Sequence, residues 1–118
     1  MLTVLIPAVG TERYDNTQKN LAAVTGQTDA AGRPLEVVIV EKAHEADRRN
    51  DIFANFCINF YIANSAIIMP EFGIDRDEDA HANIARLFPK HEIVQIEISD
   101  IAAGGGGIHC ITQQQPAV

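Results

Sequence analysis

The stretch AIIMPEFGIDRDEDAHANIARLFPKHEIVQIEI, residues 66 to 98, carries the two periodicities that set the fold class of this chain. AIIM at Ala66 to Met69 is a short apolar run of strand type, and Pro70 and Gly73 are expected to end it. Ala80, Ile84, Leu87 and Phe88 then recur at helical spacing. The acids Asp77 to Asp79 fall in the first turn, where negative charge suits the positive end of the helix dipole. Pro89 stops the helix, and EIVQIEI at Glu92 to Ile98 alternates as a half-buried strand does. Strand, helix, strand predicts an α/β unit.

Upstream, FCINFYIA at Phe56 to Ala63 reads as a further strand, joined to AIIM by Asn64-Ser65, the length of a tight hairpin turn. The segment from about 52 to 98 is thus predicted as one complete ββαβ module. The first 41 residues read as a partial version of it. Leu2 to Ile6 is a short strand ended by Pro7, and Tyr14, Thr17, Leu21 and Val24 mark a helix. TDAAGR at Thr28 to Arg33 is a turn, and LEVVIV at Leu35 to Val40 is a β-branched strand.

Pro7, Gly10, Arg13 and Asn20 coincide with Pro70, Gly73, Arg76 and Asn83 at one offset of 63, and Leu21-Ala22 meets Ile84-Ala85. Glu36, Val37 and Glu41 coincide with Glu92, Ile93 and Glu97 at an offset of 56, because TDAAGR lengthens the first loop. Self-similarity of this kind marks copies of one supersecondary unit that cannot bury their faces alone. Residues 1–118 are expected to form a single compact unit of two repeats, about 1–41 and 52–98, with a tail from 99 to 118. The first copy begins at its second strand, so the front of the repeat is expected to be missing.

The 118 residues are 47% hydrophobic and 21% charged, a globular composition with one modest core. The apolar runs, Ala66 to Pro70 among them, are only a few residues long, far short of the roughly 18 residues that span a bilayer. The start MLTVLIPAVG lacks a basic segment and is interrupted by Pro7 and Gly10, so a cleaved export signal is not expected and a cytoplasmic location is. A net charge of -7 with scattered basic residues argues against nucleic acid. The same charge tolerates a cationic small molecule. Cys57 and Cys110 both lie in apolar, strand-like settings. They could form a disulfide, but two buried free thiols fit a cytosolic chain better, and with His109 they are too few and too far apart for a zinc site.

Four consecutive glycines, Gly104 to Gly107, lead into IHCIT. Ordering them costs roughly 0.5 to 1 kcal/mol each against alanine. Two readings are open: a flexible linker, or backbone that must pass where side chains would collide, beside a reactive group. A phosphate loop is excluded, since Ile108 and His109 stand where Lys-Ser/Thr is required, and a dinucleotide fingerprint fails because no helix is expected to follow. Cys110 is expected on a short C-terminal strand, where His109 would face the opposite side, so their adjacency in sequence is poor evidence for a catalytic pair. His44, His81 and His91 lie in or near charged segments and are expected to be solvated.

The segment GGGGIHCITQQQP at Gly104 to Pro116 strongly resembles the C-terminal signature of the agmatine deiminase and bacterial-type peptidylarginine deiminase family. So do NFYIAN at Asn59 to Asn64, MPEFG at Met69 to Gly73, LFP at Leu87 to Pro89 and TDAAGRPLEVV at Thr28 to Val38. Asn55, Phe56, Cys57 and Ile58 depart from the commoner family wording before NFYIAN. Members are about three times longer and form the pentein fold, an α/β propeller of five ββαβ modules around a central active site. The resemblance implies that this chain is a partial propeller, roughly the last two modules with their natural C-terminus.

The resemblance also implies a chemistry, hydrolysis of a guanidinium C–N bond through a covalent thiouronium on Cys110, converting agmatine to N-carbamoylputrescine and ammonia without a cofactor or metal. Gly104, Gly105, Gly106 and Gly107 would let the backbone approach the substrate. The family's catalytic histidine and guanidinium-gripping carboxylates come from motifs that have no counterpart here, and His44, Asp47 and Asp100 do not replace them. The chain alone is therefore expected to be inactive. The competing expectation is a non-catalytic module whose open sheet edges drive self-association into homo-oligomers.

Overall fold

Two βαβ crossovers organise the chain, which divides into the units Met1–Lys42 and Ala43–Val118. The structure is a computed structural model that describes residues 2–8, 14–41, 54 and 56–118. In the first unit, strand β1 (Leu2–Ala8) leads through helix α1 (Tyr14–Val24) to strand β2 (Leu35–Glu41), and the strands pair in parallel. Parallel neighbours need a crossover, and α1 supplies it. Thr17 and Val40 are buried, while Leu21 and Val24 are half-buried on the same stripe of α1. The TDAAGR segment is the expected turn. Asp29 Oδ1 accepts the N–H groups of Ala31 and Arg33 at 2.9 and 3.0 Å, and Arg33 Nη2 closes an ion pair on Asp29 Oδ2 at 2.6 Å.

The second unit contains β3 (Tyr61–Ile62), β4 (Ala66–Glu71), helix α2 (Arg76–Leu87), β5 (Glu92–Glu97) and helix α3 (Ser99–Ala103). The sheet order is β3-β4-β5, antiparallel then parallel. Asn64-Ser65 is the hairpin turn, closed by Ala63 N–H on the Ala66 carbonyl at 2.8 Å. Central β4 buries Ile67, Met69 and Pro70, and α2 covers the sheet with Ala80 and Ile84, one turn apart. Asp77, buried in the first turn of α2, accepts Phe72 N–H at 3.0 Å and Ile74 N–H at 2.9 Å, which ties the FGI loop to the helix. Gln95 on β5 reaches the Asp77 carbonyl at 2.8 Å.

The two parallel ladders share one register. Thr3↔Glu36 through Ala8↔Glu41 becomes Ala66↔Glu92 through Glu71↔Glu97 when the offsets of 63 and 56 are applied to the two strands.

Four expectations need correction. Both prolines lie inside strands, Pro7 in β1 and Pro70 in β4, instead of ending them. Glu92 N–H bonds the Ser65 carbonyl and Ile98 N–H bonds the Glu71 carbonyl, so the odd-numbered residues of β4 face β5. Pro70, being even, turns its absent N–H toward the β3 side, where pairing has already stopped at Ile68. Next, FCINFYIA is not a strand throughout. Residues 56–60 turn, with Asn59 N–H on the Phe56 carbonyl at 3.2 Å, and the ladder is confined to Tyr61–Ile62.

The C-terminal strand expected around Cys110 is instead a single 3₁₀ turn, His109–Ile111. Ile111 N–H bonds the Ile108 carbonyl at 3.2 Å, and the Thr112 hydroxyl and N–H both bond the His109 carbonyl, so local bonds replace a ladder. Lastly, α3 was not expected. Its five residues carry no apolar periodicity long enough to read. Among the described residues no helix is long and apolar enough to cross a membrane.

Candidate active site

The glycine run divides into two pairs with different duties. Helix α3 ends on Gly104 and Gly105, whose N–H groups take the Ile101 and Ala102 carbonyls, both at 2.9 Å. Gly105 has φ +89°, a left-handed conformation that L side chains resist, and it turns the chain out of the helix. The Ala102 carbonyl also accepts Ala54 N–H at 2.9 Å, so the helix end is anchored to the segment before NFYIAN. Gly106 and Gly107 come next. A Cβ on Gly106 would lie 3.8 Å from Cys110 Sγ, and one on Gly107 would lie 2.5 Å from Asn59 Cγ.

Cys110 is exposed on the 3₁₀ turn, and Cys57 is buried in the turn at 57–58. The two are not joined in a disulfide. The expectation of two buried thiols holds for Cys57 and fails for Cys110, because the 3₁₀ turn lifts the latter to the surface instead of burying it on a sheet face. The Cys110 thiol is held below the ordinary thiol range, first by the Asn59 amide and then by the Gly107 backbone, against a weaker opposing effect of burial. Hydrogen bonding to the charged form favours thiolate.

Asn59 is the residue that sequence reasoning overlooked. Its Nδ2 donates to Cys110 Sγ at 3.3 Å, and its Oδ1 accepts His109 N–H at 2.9 Å. It was visible as the first residue of NFYIAN, but nothing in the spacing of that motif connects it to a cysteine 51 positions later. The motif is seated from behind by Phe60, whose ring meets Phe88 of LFP edge-on at 5.9 Å. Half-buried His91 also stands edge-on to Phe88 at 5.7 Å, and His81 on α2 is half-buried too, which corrects the expected solvation of both.

The other sequence candidates have simpler positions. His109 approaches Asn59 through its backbone, and its side chain is exposed. The strand alternation that set it apart from the thiol does not apply to a 3₁₀ turn. Asp100 is exposed on α3. His44 and Asp47 lie outside the described residues. Asn59 is the one side chain among the described residues that hydrogen-bonds the sulfur. Among the described residues no three His, Cys, Asp or Glu side chains form a metal-holding group.

An exposed, ionisable thiol on a glycine-flanked turn can attack an electrophilic carbon. A family model described as Porphyromonas-type peptidyl-arginine deiminase matches residues 2–116. An agmatine deiminase of Medicago truncatula is 37% identical over 127 residues, covering 90% of this chain and 34% of that protein. An agmatine deiminase of Pseudomonas aeruginosa (strain LESB58) is 44% identical over 81 residues, covering 69% of this chain and 22% of that protein. The solved agmatine deiminase of Enterococcus faecalis superposes with a TM-score of 0.82 at 25% identity, covering 97% of this chain and 37% of that one. The chain spans about a third of the length of the curated relatives it matches.

Proposed function

Because the chain belongs to the Porphyromonas-type peptidyl-arginine deiminase family, we propose that Cys110 is the nucleophile of a guanidinium hydrolase whose substrate is a small cation such as agmatine. The observation that carries this reading is the exposed Cys110 thiol, hydrogen-bonded by Asn59 and held toward its thiolate form. The thiolate attacks the guanidinium carbon, forming an S–C bond. One nitrogen takes up a proton and leaves as ammonia. Water then adds to the thiouronium carbon, the C–S bond breaks, and a ureido product departs while the sulfur recovers its electron pair. From agmatine the product is N-carbamoylputrescine, one hydrolysis short of putrescine. No external oxidant or cofactor enters this balance.

Gly106 leaves the backbone without a side chain beside the sulfur, which suits close approach by a planar guanidinium, Gly107 lies against the Asn59 amide, and Gly104 and Gly105 shape the turn that presents them. The reaction also needs a group to move protons and carboxylates to grip the cation. Neither hydrogen-bonds the Cys110 sulfur among the described residues. We assign the 118-residue chain, as a proposal resting on its likeness to about a third of the length of its relatives, a nucleophile-bearing part of the site without independent turnover, two repeats (about 1–41 and 52–98) of a pentein-type propeller, located in the reducing cytoplasm.

The test is incubation of the chain with agmatine, and separately with an arginine peptide, followed by quantitation of ureido product. No product above that of Cys110→Ser is expected. Turnover by the chain that disappears in Cys110→Ser would overturn the assignment of inertness. Splicing the chain into the Medicago truncatula enzyme in place of the segment it matches addresses the nucleophile. Activity is expected, and activity that survives Cys110→Ser would refute that role.

A second reading, self-association, is favoured by the outer edge of β5, which pairs with no further strand among the described residues, and by Ile96 on that strand, which is 46% exposed. Light scattering over a range of concentrations should show mass rising with concentration, and a constant monomer mass would remove this reading.

A further inference from the structure

We propose that Asn59 is the positioning residue for the Cys110 thiolate, its amide clamped by the His109 backbone so that its nitrogen is held against the sulfur. The inference rests on the reading of Cys110 as nucleophile. It begins with the donor and acceptor inventory of the site. His109 N–H can only donate, and it lies 2.9 Å from Asn59 Oδ1. The amide oxygen is thereby turned toward His109 and stays 3.9 Å from Sγ, a long contact to the thiol, while the other amide group, Nδ2, faces Sγ more closely at 3.3 Å. Nδ2 has donors and no acceptor capacity, so the pair is matched to S⁻ and not to an S–H pointing the same way.

Asn59 has little freedom to turn away. Its own N–H is held by the Phe56 carbonyl at 3.2 Å, and its carbonyl receives His109 N–H a second time at 3.4 Å. Gly107 closes on its side chain so tightly that the position admits no Cβ. Phe60, the next residue, is set against Phe88. The amide is consequently oriented before any substrate arrives, the condition under which a fixed dipole contributes most to a charged reacting group. One side chain grips two consecutive residues of the turn, His109 through its N–H and Cys110 through its sulfur, so the direction of the thiolate and its ionisation are set together. The lowered thiol pKa has the Asn59 amide as its largest cause. The same N–H stabilises sulfur again when the C–S bond of the thiouronium breaks.

Two measurements on the 118-residue chain test this, and neither uses turnover, so a failure of the deiminase reading leaves them interpretable. In the unmutated chain, the side-chain amide resonances of Asn59 should titrate with the same midpoint as iodoacetamide alkylation of Cys110, and this titration should vanish in Cys110→Ser. Amide resonances that ignore the thiol would overturn the proposal. In Asn59→Asp, the acceptor for His109 N–H is kept while the donor to sulfur becomes an anion. The alkylation midpoint of Cys110, followed by peptide-resolved mass spectrometry, should rise by about one pH unit or more, roughly a tenfold loss of thiolate at neutral pH. Buried Cys57 should stay protected as the sign that the unit is folded. An unchanged midpoint with Cys57 protected would also overturn it.

Discussion

Gly107 and Asn59 stand so close that a Cβ on residue 107 would lie 2.5 Å from Cγ, 2.7 Å from Nδ2 and 2.9 Å from Cβ of the asparagine. These are atoms of a short side chain with both ends of its amide engaged, so they cannot swing aside as the tip of a lysine could. The glycine is required by a neighbour from a distant part of the chain. Of the two readings of the glycine run, close approach is therefore the one that applies at residue 107.

Gly107→Ala should dislodge Asn59 from the sulfur. Overpacking of this kind typically costs about 1 to 3 kcal/mol. A drop of that size in urea-unfolding stability, accompanied by slower alkylation of Cys110 near neutral pH, is expected. Gly104→Ala serves as a comparison, since its Cβ would meet the Ile101 carbonyl at 3.2 Å and not the amide. Equal alkylation rates in the two variants would contradict this assignment of Gly107.

The pH dependence of Cys110 follows from its lowered pKa. A group whose pKa is depressed by folding contributes stability above its unfolded pKa, and that contribution is lost as pH falls through the folded value. Cys110 in the native chain should therefore alkylate with a midpoint below that of the same residue in concentrated urea. Coincident midpoints would show that the fold does nothing to the thiol.

Asp77 should matter to stability without touching the thiol. In Asp77→Ala the N–H groups of Phe72 and Ile74 lose their carboxylate, and a buried unsatisfied donor costs about 1 to 3 kcal/mol. Thermal unfolding should reveal a loss of at least about 2 kcal/mol on this scale. A change near zero would mean that the loop finds other acceptors.

Asp29 provides a pH prediction for the first unit. Its carboxyl is held below the usual range, chiefly by the Arg33 backbone N–H. Protonation should release the TDAAGR turn only as pH falls below about 4, the ordinary range for aspartate. Amide resonances of Ala31 and Arg33 followed by NMR should shift together at a midpoint below that of a free aspartate and stay fixed in Asp29→Asn. A midpoint at the free value would show that the turn does not hold the carboxylate.

Much of this protein was legible because its rules are local. Ala80, Ile84 and Leu87 trace a stripe at helical spacing, Asn64-Ser65 has the length of a tight hairpin turn, and Asp29 and Gly32 lie in a turn that closes on itself. Even the matching register of the two βαβ crossovers could be counted off the sequence as two constant offsets. Pro7 and Pro70 misled because proline is excluded from a ladder only on the side where a partner waits, and the position of β3 cannot be known from β4.

The amino-acid sequence by itself determined the alternation of strand and helix and the likeness to a deiminase family, and it singled out Cys110 as the candidate nucleophile, since periodicity and motif reside in neighbouring residues. Tertiary structure alone decided the 3₁₀ turn at His109–Ile111, the bend at residues 56–60 and the amide that faces the sulfur. The two turns are closed by local bonds that a strand would have displaced, and what holds them against one another is donors and acceptors 50 or so positions apart, His109 N–H on Asn59 and the Asn59 amide on Cys110. An apolar segment flanked by glycine will accept a strand, a turn or a single helical loop, and the choice belongs to whichever partner satisfies its backbone.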